Sequence, residues 1–113
     1  MTALLELAWV DVCAYDDLQA ERGARALVGG RAVALFRLAD ESVHAIGDVD
    51  PFSGASVLSR GVVGTVGEAT VVASPMFKQH FDLRTGGCIE DHAVAVEVLP
   101  VRVVHGRVLV GSA

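Results

Sequence analysis

The chain predicts an all-β fold, and three observations carry that expectation. Glycine, with 12 copies in 113 residues, interrupts the sequence at short intervals. The apolar segments between these breaks are short and rich in valine, a β-branched residue that suits strands. No apolar stretch keeps a helical period long enough to require more than a few turns of helix.

The elements follow in order. Residues 1–10 are apolar apart from Glu6 and carry no basic leader or small-residue cleavage site, so they read as the start of a first strand, at its clearest over 7–13, and not as a signal peptide. Residues 14–18, Ala-Tyr-Asp-Asp-Leu, predict a short helical turn opened by a capping aspartate. Gly29-Gly30 predicts a two-residue hairpin turn. Beyond it, 31–38 is a strand with two apolar faces, Val33/Leu35 and Ala34/Phe36/Leu38, and so should be buried on both sides. Asp40-Glu41 turns the chain into a strand over 42–46.

Residues 47–90 change character. They hold Pro51, Pro75 and many turn formers, with short strands expected at Val62-Val63 and at 70–73. The regular pattern then returns. Val94, Val96 and Val98 alternate with Ala93, Ala95 and Glu97, which predicts one valine face. Pro100 breaks the run, and 101–104 with 107–110 close a hairpin around His105-Gly106. The length suits one domain over 1–113, with a base from 1–46 and 91–113 and the loop-rich 47–90 inserted into it. A chain of this size buries roughly two-thirds of its unfolded surface, enough for a core without staples.

Composition narrows the function. With 52% hydrophobic and 20% charged residues the chain is globular. Its nine basic residues are scattered among fourteen acidic ones, for a net charge of -5, which argues against nucleic acid. No apolar run approaches the roughly 20 residues of a membrane span, so no membrane partner is expected and the expected location is cytoplasmic. Cys13 and Cys88 are too few for a cysteine-rich metal site and read as buried, reduced thiols.

Two segments of the middle stand out. One is Asp48-Val49-Asp50-Pro51-Phe52-Ser53-Gly54-Ala55; the other runs from Val72 through Ser74-Pro75-Met76-Phe77-Lys78-Gln79-His80-Phe81-Asp82 to Gly86. Each follows a short apolar strand and turns at a proline. They resemble the two cluster loops of Rieske proteins, C-P-H-x-G and C-P-x-H-G-W-x-F-D, which supply two thiolates to one iron and two imidazoles to the other. Pro51, Gly54, Pro75, Phe81-Asp82 and the trailing Leu83-Arg84-Thr85-Gly86 carry the likeness, with Trp9 and the 29–36 hairpin upstream. The resemblance implies a Rieske-type fold of antiparallel sheets or a partly open barrel.

The ligands do not match. Asp50 and Phe52 stand at the first Cys and His positions, and Ser74 and Phe77 at the second pair. Phenylalanine has no donor atom, and serine suits soft iron–sulfur chemistry poorly. The same departures, Asp50 to Gly61 and Ala73 to Leu83, are similar to the small subunits of bacterial NAD(P)H nitrite reductases. That resemblance implies a chain with no catalytic, cofactor or metal residue of its own. Its partner would be a large subunit holding siroheme, a [4Fe-4S] cluster, FAD and the NAD(P)H site, which reduces nitrite to ammonia.

Phe52, Met76, Phe77, Lys78, Gln79 and His80 are the expected docking residues, Lys78 being the single lysine of the chain. The alternative for Phe52 and Phe77 is to fold inward, fill the vacated space and staple the loops, which is expected of at least one. Asp50 and Ser74 should bond to neighbouring backbone, as Asp and Ser do in turns. Asp48-x-Asp50 with His80-x-Asp82 is a weaker pattern for a hard metal. His44, His92 and His105 are isolated, and no nucleophile–base pair is defined by spacing. The competing functions are a stand-alone Rieske-fold electron carrier and a module binding a small ligand or metal in the vacated pocket.

Overall fold

A computed structural model describes residues 8–112. Among the described residues, ten strands build three antiparallel sheets. The first sheet joins both ends of the described chain, in the order β1 (Ala8–Ala14), β10 (Arg107–Ser112), β9 (Val101–Val104). The second has the order β2 (Gly23–Val28), β3 (Arg31–Arg37), β4 (Val43–Gly47), β8 (Val98–Leu99). The third, β5 (Val62–Val66), β6 (Ala69–Ala73) and β7 (His80–Asp82), comes wholly from the loop-rich middle.

β3 is the wall shared by two cores. Its alternation sends Val33 and Leu35 to one side, where they pack with Leu18, Val28, Leu99, Val108 and Val110. Ala34 and Phe36, with Leu38 just beyond, go to the other side and meet Leu58, Val72, Phe81, Leu83 and Cys88. The two faces read from the sequence are therefore the two core-facing sides. The β2–β3 turn needs left-handed backbone at both central positions, and Gly29 (φ 57°) and Gly30 (φ 80°) provide it without a Cβ clash. At the ends of the chain, Arg107 grips Asp11 at 2.9 Å and ties β10 to β1.

Three expectations need correction. The turn at Tyr15–Asp17 is a 3-10 turn whose N-cap is Ala14, with no side-chain cap; Asp16 and Asp17 lie inside its first turn. The valines of 94–98 do not share a buried face. Val94 and Val96 are half-buried against the second core, while Val98 is exposed and Leu99 is buried instead. The reason is a change of partner. The Val96 N–H donates to Gly86 O, the Gly47 N–H donates to Glu97 O, and only then does β8 join β4, so the alternation breaks. Cys88 is buried as expected, but Cys13 is half-buried; both are free thiols. Burial and nearby Asp17 push the Cys13 thiol pKa up. The first-strand expectation over 1–7 lies outside the described residues.

Candidate functional site

The two boxes form two loops of the same backbone design. In the first, the Asp50 N–H donates to Ala55 O (2.8 Å) and the Gly54 N–H returns to Asp50 O (2.7 Å). In the second, the Ser74 N–H donates to Gln79 O (2.9 Å) and the Lys78 N–H returns to Ser74 O (3.0 Å). The fifth residue of each loop is left-handed, Gly54 at φ 76° and Lys78 at φ 65°. The side chain opening each loop also accepts an N–H two residues on: Phe52 N–H to Asp50 Oδ1 (2.8 Å) and Met76 N–H to Ser74 Oγ (3.2 Å). The backbone bonds expected of Asp50 and Ser74 are present.

A contact between the loops joins them. The Ser74 hydroxyl donates to Asp50 Oδ2 at 2.5 Å, with both residues buried. The side chains that open the two loops thus face each other and are bridged by a charge-assisted hydrogen bond. Asp48 organises the first loop from below. It is fully buried and accepts from the Ser59 N–H (2.6 Å) and the Ser56 hydroxyl (2.6 Å), with Arg25 at 3.3 Å.

The phenylalanines divide. The Phe52 ring packs obliquely on buried Phe81, 6.3 Å between centroids, and keeps 37% of its surface exposed. Phe77 points outward and is 58% exposed, so it does not fill the space between the loops. The polar staple joins the loops, and the Phe52–Phe81 contact lies beside it. Val49 and Met76 are exposed beside them, and the loop tips form an apolar surface. Lys78 is exposed next to Phe77. Gln79 is half-buried, its Oε1 buried without a hydrogen-bond partner.

His80 is held within the chain. Its Nδ1 lies 2.5 Å from Glu90 Oε2, and its N–H donates to Glu90 Oε1 (2.8 Å). These bonds, the backbone one foremost, hold the Glu90 carboxyl down at about 2. His80 can therefore reach a partner only through Nε2. Asp82 is equally engaged, accepting from the Arg84 and Thr85 N–H groups in the turn that ends at Gly86. Gly86 has φ 78°, and a Cβ there would meet Val96 O at 2.1 Å, so the retained Asp-Leu-Arg-Thr-Gly segment is structural. Of the hard-metal pattern, Asp48, Asp50 and Asp82 point their oxygens at protein donors, and the His80 Nδ1 side is taken by Glu90. Among the described residues no group of three or more His, Cys, Asp or Glu side chains is placed to hold a metal ion.

Fold and paired loops together define a Rieske-type domain, and the family of Rieske-like [2Fe-2S] domains matches residues 8–111. Within that class the chain belongs to the small subunits of NADH-dependent nitrite reductases. It is 43% identical to the nitrite reductase (NADH) small subunit of Escherichia coli K12 over 101 residues, covering 88% of this chain and 94% of that one. A crystal structure described as an NADH-dependent nitrite reductase small subunit from Mycobacterium tuberculosis superposes with a TM-score of 0.92 at 50% identity, over 95% of this chain and 96% of that one. A stretch of the nitrite reductase [NAD(P)H] large subunit of Klebsiella oxytoca is 39% identical over 110 residues, 97% of this chain but 11% of that protein.

The cluster in the family's description does not fit these residues. At the four positions where the loop resemblance would set ligands stand two phenylalanines, a carboxylate and a hydroxyl, the last two already satisfied by each other and by backbone N–H groups. One residue of the site, Glu90, escaped the sequence reading, and Asp48 was named there without its scaffold role. Glu90 lies ten positions from His80 with no motif to mark it. The Asp48 scaffold had one available signal, Ser56 and Ser59 following at loop distance, but that signal carries little weight alone.

Proposed function

We propose that the chain is the non-catalytic small subunit of a cytoplasmic NAD(P)H nitrite reductase. In this reading it seats on a large subunit that holds siroheme, a [4Fe-4S] cluster and FAD and takes electrons from NAD(P)H to reduce nitrite to ammonia. The observation that carries the reading is the K. oxytoca match, where one polypeptide named as the large subunit contains a stretch like nearly all of this chain. A domain fused to the large chain in one protein and separate in others fits a role in contact with it. The absent donors at Asp50, Phe52, Ser74 and Phe77 support a role in contact over one in electron transfer.

The loop tips supply a docking surface of suitable chemistry. Phe52, Met76 and Phe77 offer exposed apolar anchors, with Lys78, Gln79 and His80 as polar contacts beside them. Lys78 is the informative member. It holds a left-handed conformation that costs a residue with a Cβ roughly 1–2 kcal/mol. Glycine stands at that position of the Rieske loop, so the lysine is kept at a conformational cost.

Co-purification of the full complex, with nitrite-dependent NADH oxidation measured with and without this chain, tests the reading. Absence of association, with activity unchanged by removing the chain, sinks it. Lys78→Glu weakens association. Lys78→Gly weakens it too, yet stabilises the isolated chain by about 1 kcal/mol, because the strain is relieved. Unaltered affinity in both variants removes Lys78 from the contact.

A further inference from the structure

We propose that the seat of the large subunit extends from the loop tips onto the face of the second sheet, where an extended apolar segment of the large subunit fills a hollow above Gly47. This contact rests on the docking reading and is separable from the loop tips by mutation. The hollow has a volume of about 410 Å³ and is lined by Ala32, Gly47, Val49, Pro51, Ala95 and Val96, with Arg31 and Glu97 beside them.

The hollow exists because the second sheet runs on past its cover. The side chains of β3, β4 and β8 that face the first sheet form a row, Val33, Ala45 and Leu99, and all three are buried. Period-two alternation makes Arg31, Gly47 and Glu97 the next members of that row. None of these is buried. The first sheet stops short of them. Its last described pair is Ala8 with Ser112, and the Ser112 hydroxyl lies 3.5 Å from where a Cβ on Gly29 would stand. Gly47 keeps the floor open, since a Cβ there would meet only Glu97 N, at 4.0 Å.

The walls decide what fits. Ala32, Val49, Pro51, Ala95 and Val96 are apolar, and the two charged side chains at the surface, Arg31 and Glu97, neutralise each other in an ion pair. Buried Asp48 directs its oxygens to the Ser59 N–H, the Ser56 hydroxyl and Arg25. A charged group entering the hollow would lose water and meet no free counter-charge, whereas an apolar side chain gains by leaving water.

Two observations make the large subunit the occupant. The first is continuity. Val49 and Pro51 line the hollow and also belong to the first loop, next to the exposed ring of Phe52, so a body seated on the loop tips borders the hollow. The second is the path of the chain. The K. oxytoca large subunit carries a stretch matching 97% of this chain within one polypeptide, so β1 and β10 both have counterparts in it. In this fold β1 begins and β10 ends side by side, against Gly29 and two residues from Arg31. The remainder of such a polypeptide joins the domain at the edge of the hollow. A body joined there that also reaches the loop tips passes over the hollow.

Affinity for the purified large subunit, with amide hydrogen exchange measured in its presence and absence, tests this. Gly47→Leu fills the hollow and Ala95→Glu places a charge in it. Each weakens association about tenfold, while far-ultraviolet circular dichroism stays that of the unsubstituted chain. In the unsubstituted chain the 47–49 and 95–97 amides gain protection only in the complex, a result that decides the matter even if a variant misfolds. Association that Lys78→Glu weakens and both hollow variants leave unaltered overturns this proposal and keeps the docking reading. An unsubstituted chain that does not associate at all sinks both. Protection of these amides already present in the isolated chain assigns the hollow to residues 1–7 or to a second copy, and also overturns the proposal.

Discussion

At the scale of single residues, the pair Asp50 and Ser74 settles how the loops hold together once cysteine chemistry is absent. A buried carboxylate is costly unless its oxygens are met, and here each oxygen has one donor, the Phe52 N–H or the Ser74 hydroxyl. Ser74→Ala removes one donor and leaves Asp50 Oδ2 buried without it. The expected cost is about 1–3 kcal/mol, read as a lower denaturation midpoint at unchanged m-value. A Ser74→Ala variant as stable as wild type would mean that another group meets that oxygen. The sequence shows each of these residues as a turn former bonding its own backbone, and that half of the role is legible because it is local. The bond between them is not, since it joins positions 24 residues apart that only the fold brings together.

At the scale of elements, legibility follows the partner's regularity. β3 was readable because period-two alternation directly reports two buried faces, and its neighbours β2 and β4 keep one register along its length. The 94–98 segment shows the same alternation but changes partner within a few residues, and a pattern of valines cannot show that. β7 was missed for a related reason. It is three residues long, and its end is fixed by the exposed carboxylate of Glu90, which clamps the His80 N–H and ring. That clamp has a pH signature. The Glu90 pKa falls from 4.5 to about 2 in the folded chain, chiefly through the His80 N–H. Between those values the unfolded chain holds the proton and the folded chain does not, so stability falls as pH falls. The contribution is complete above pH 4.5 and is lost as pH drops through about 2. In Glu90→Gln the acid slope of stability over that window is shallower, which acid-series denaturation measures. An identical slope would show that the clamp does not discriminate between the two protonation states.

At the scale of the whole molecule, three sheets around two cores support a pair of loops whose shape is Rieske-like and whose donors are not. The loops keep their prolines, their left-handed fifth residues and matching backbone bonds, while the third sheet and Phe81 anchor them from beneath. The side chains that open the two loops approach to 2.5 Å, so they point at each other, as two thiolates on one iron must. If scaffold and ligand set are separable, replacing the four side chains is enough to regain the chemistry. The variant Asp50→Cys, Phe52→His, Ser74→Cys, Phe77→His exchanges the polar staple for two iron–thiolate bonds and turns both loop tips into imidazole donors. The expected outcome of reconstitution with iron and sulfide is a coloured protein with two irons per chain and an electron paramagnetic resonance signal on reduction, whereas the parent chain stays colourless. A variant that folds with unchanged far-ultraviolet circular dichroism but takes up no iron would show that the scaffold has drifted as well as the ligands. In that case the loops' matching hydrogen bonds would reflect docking geometry alone.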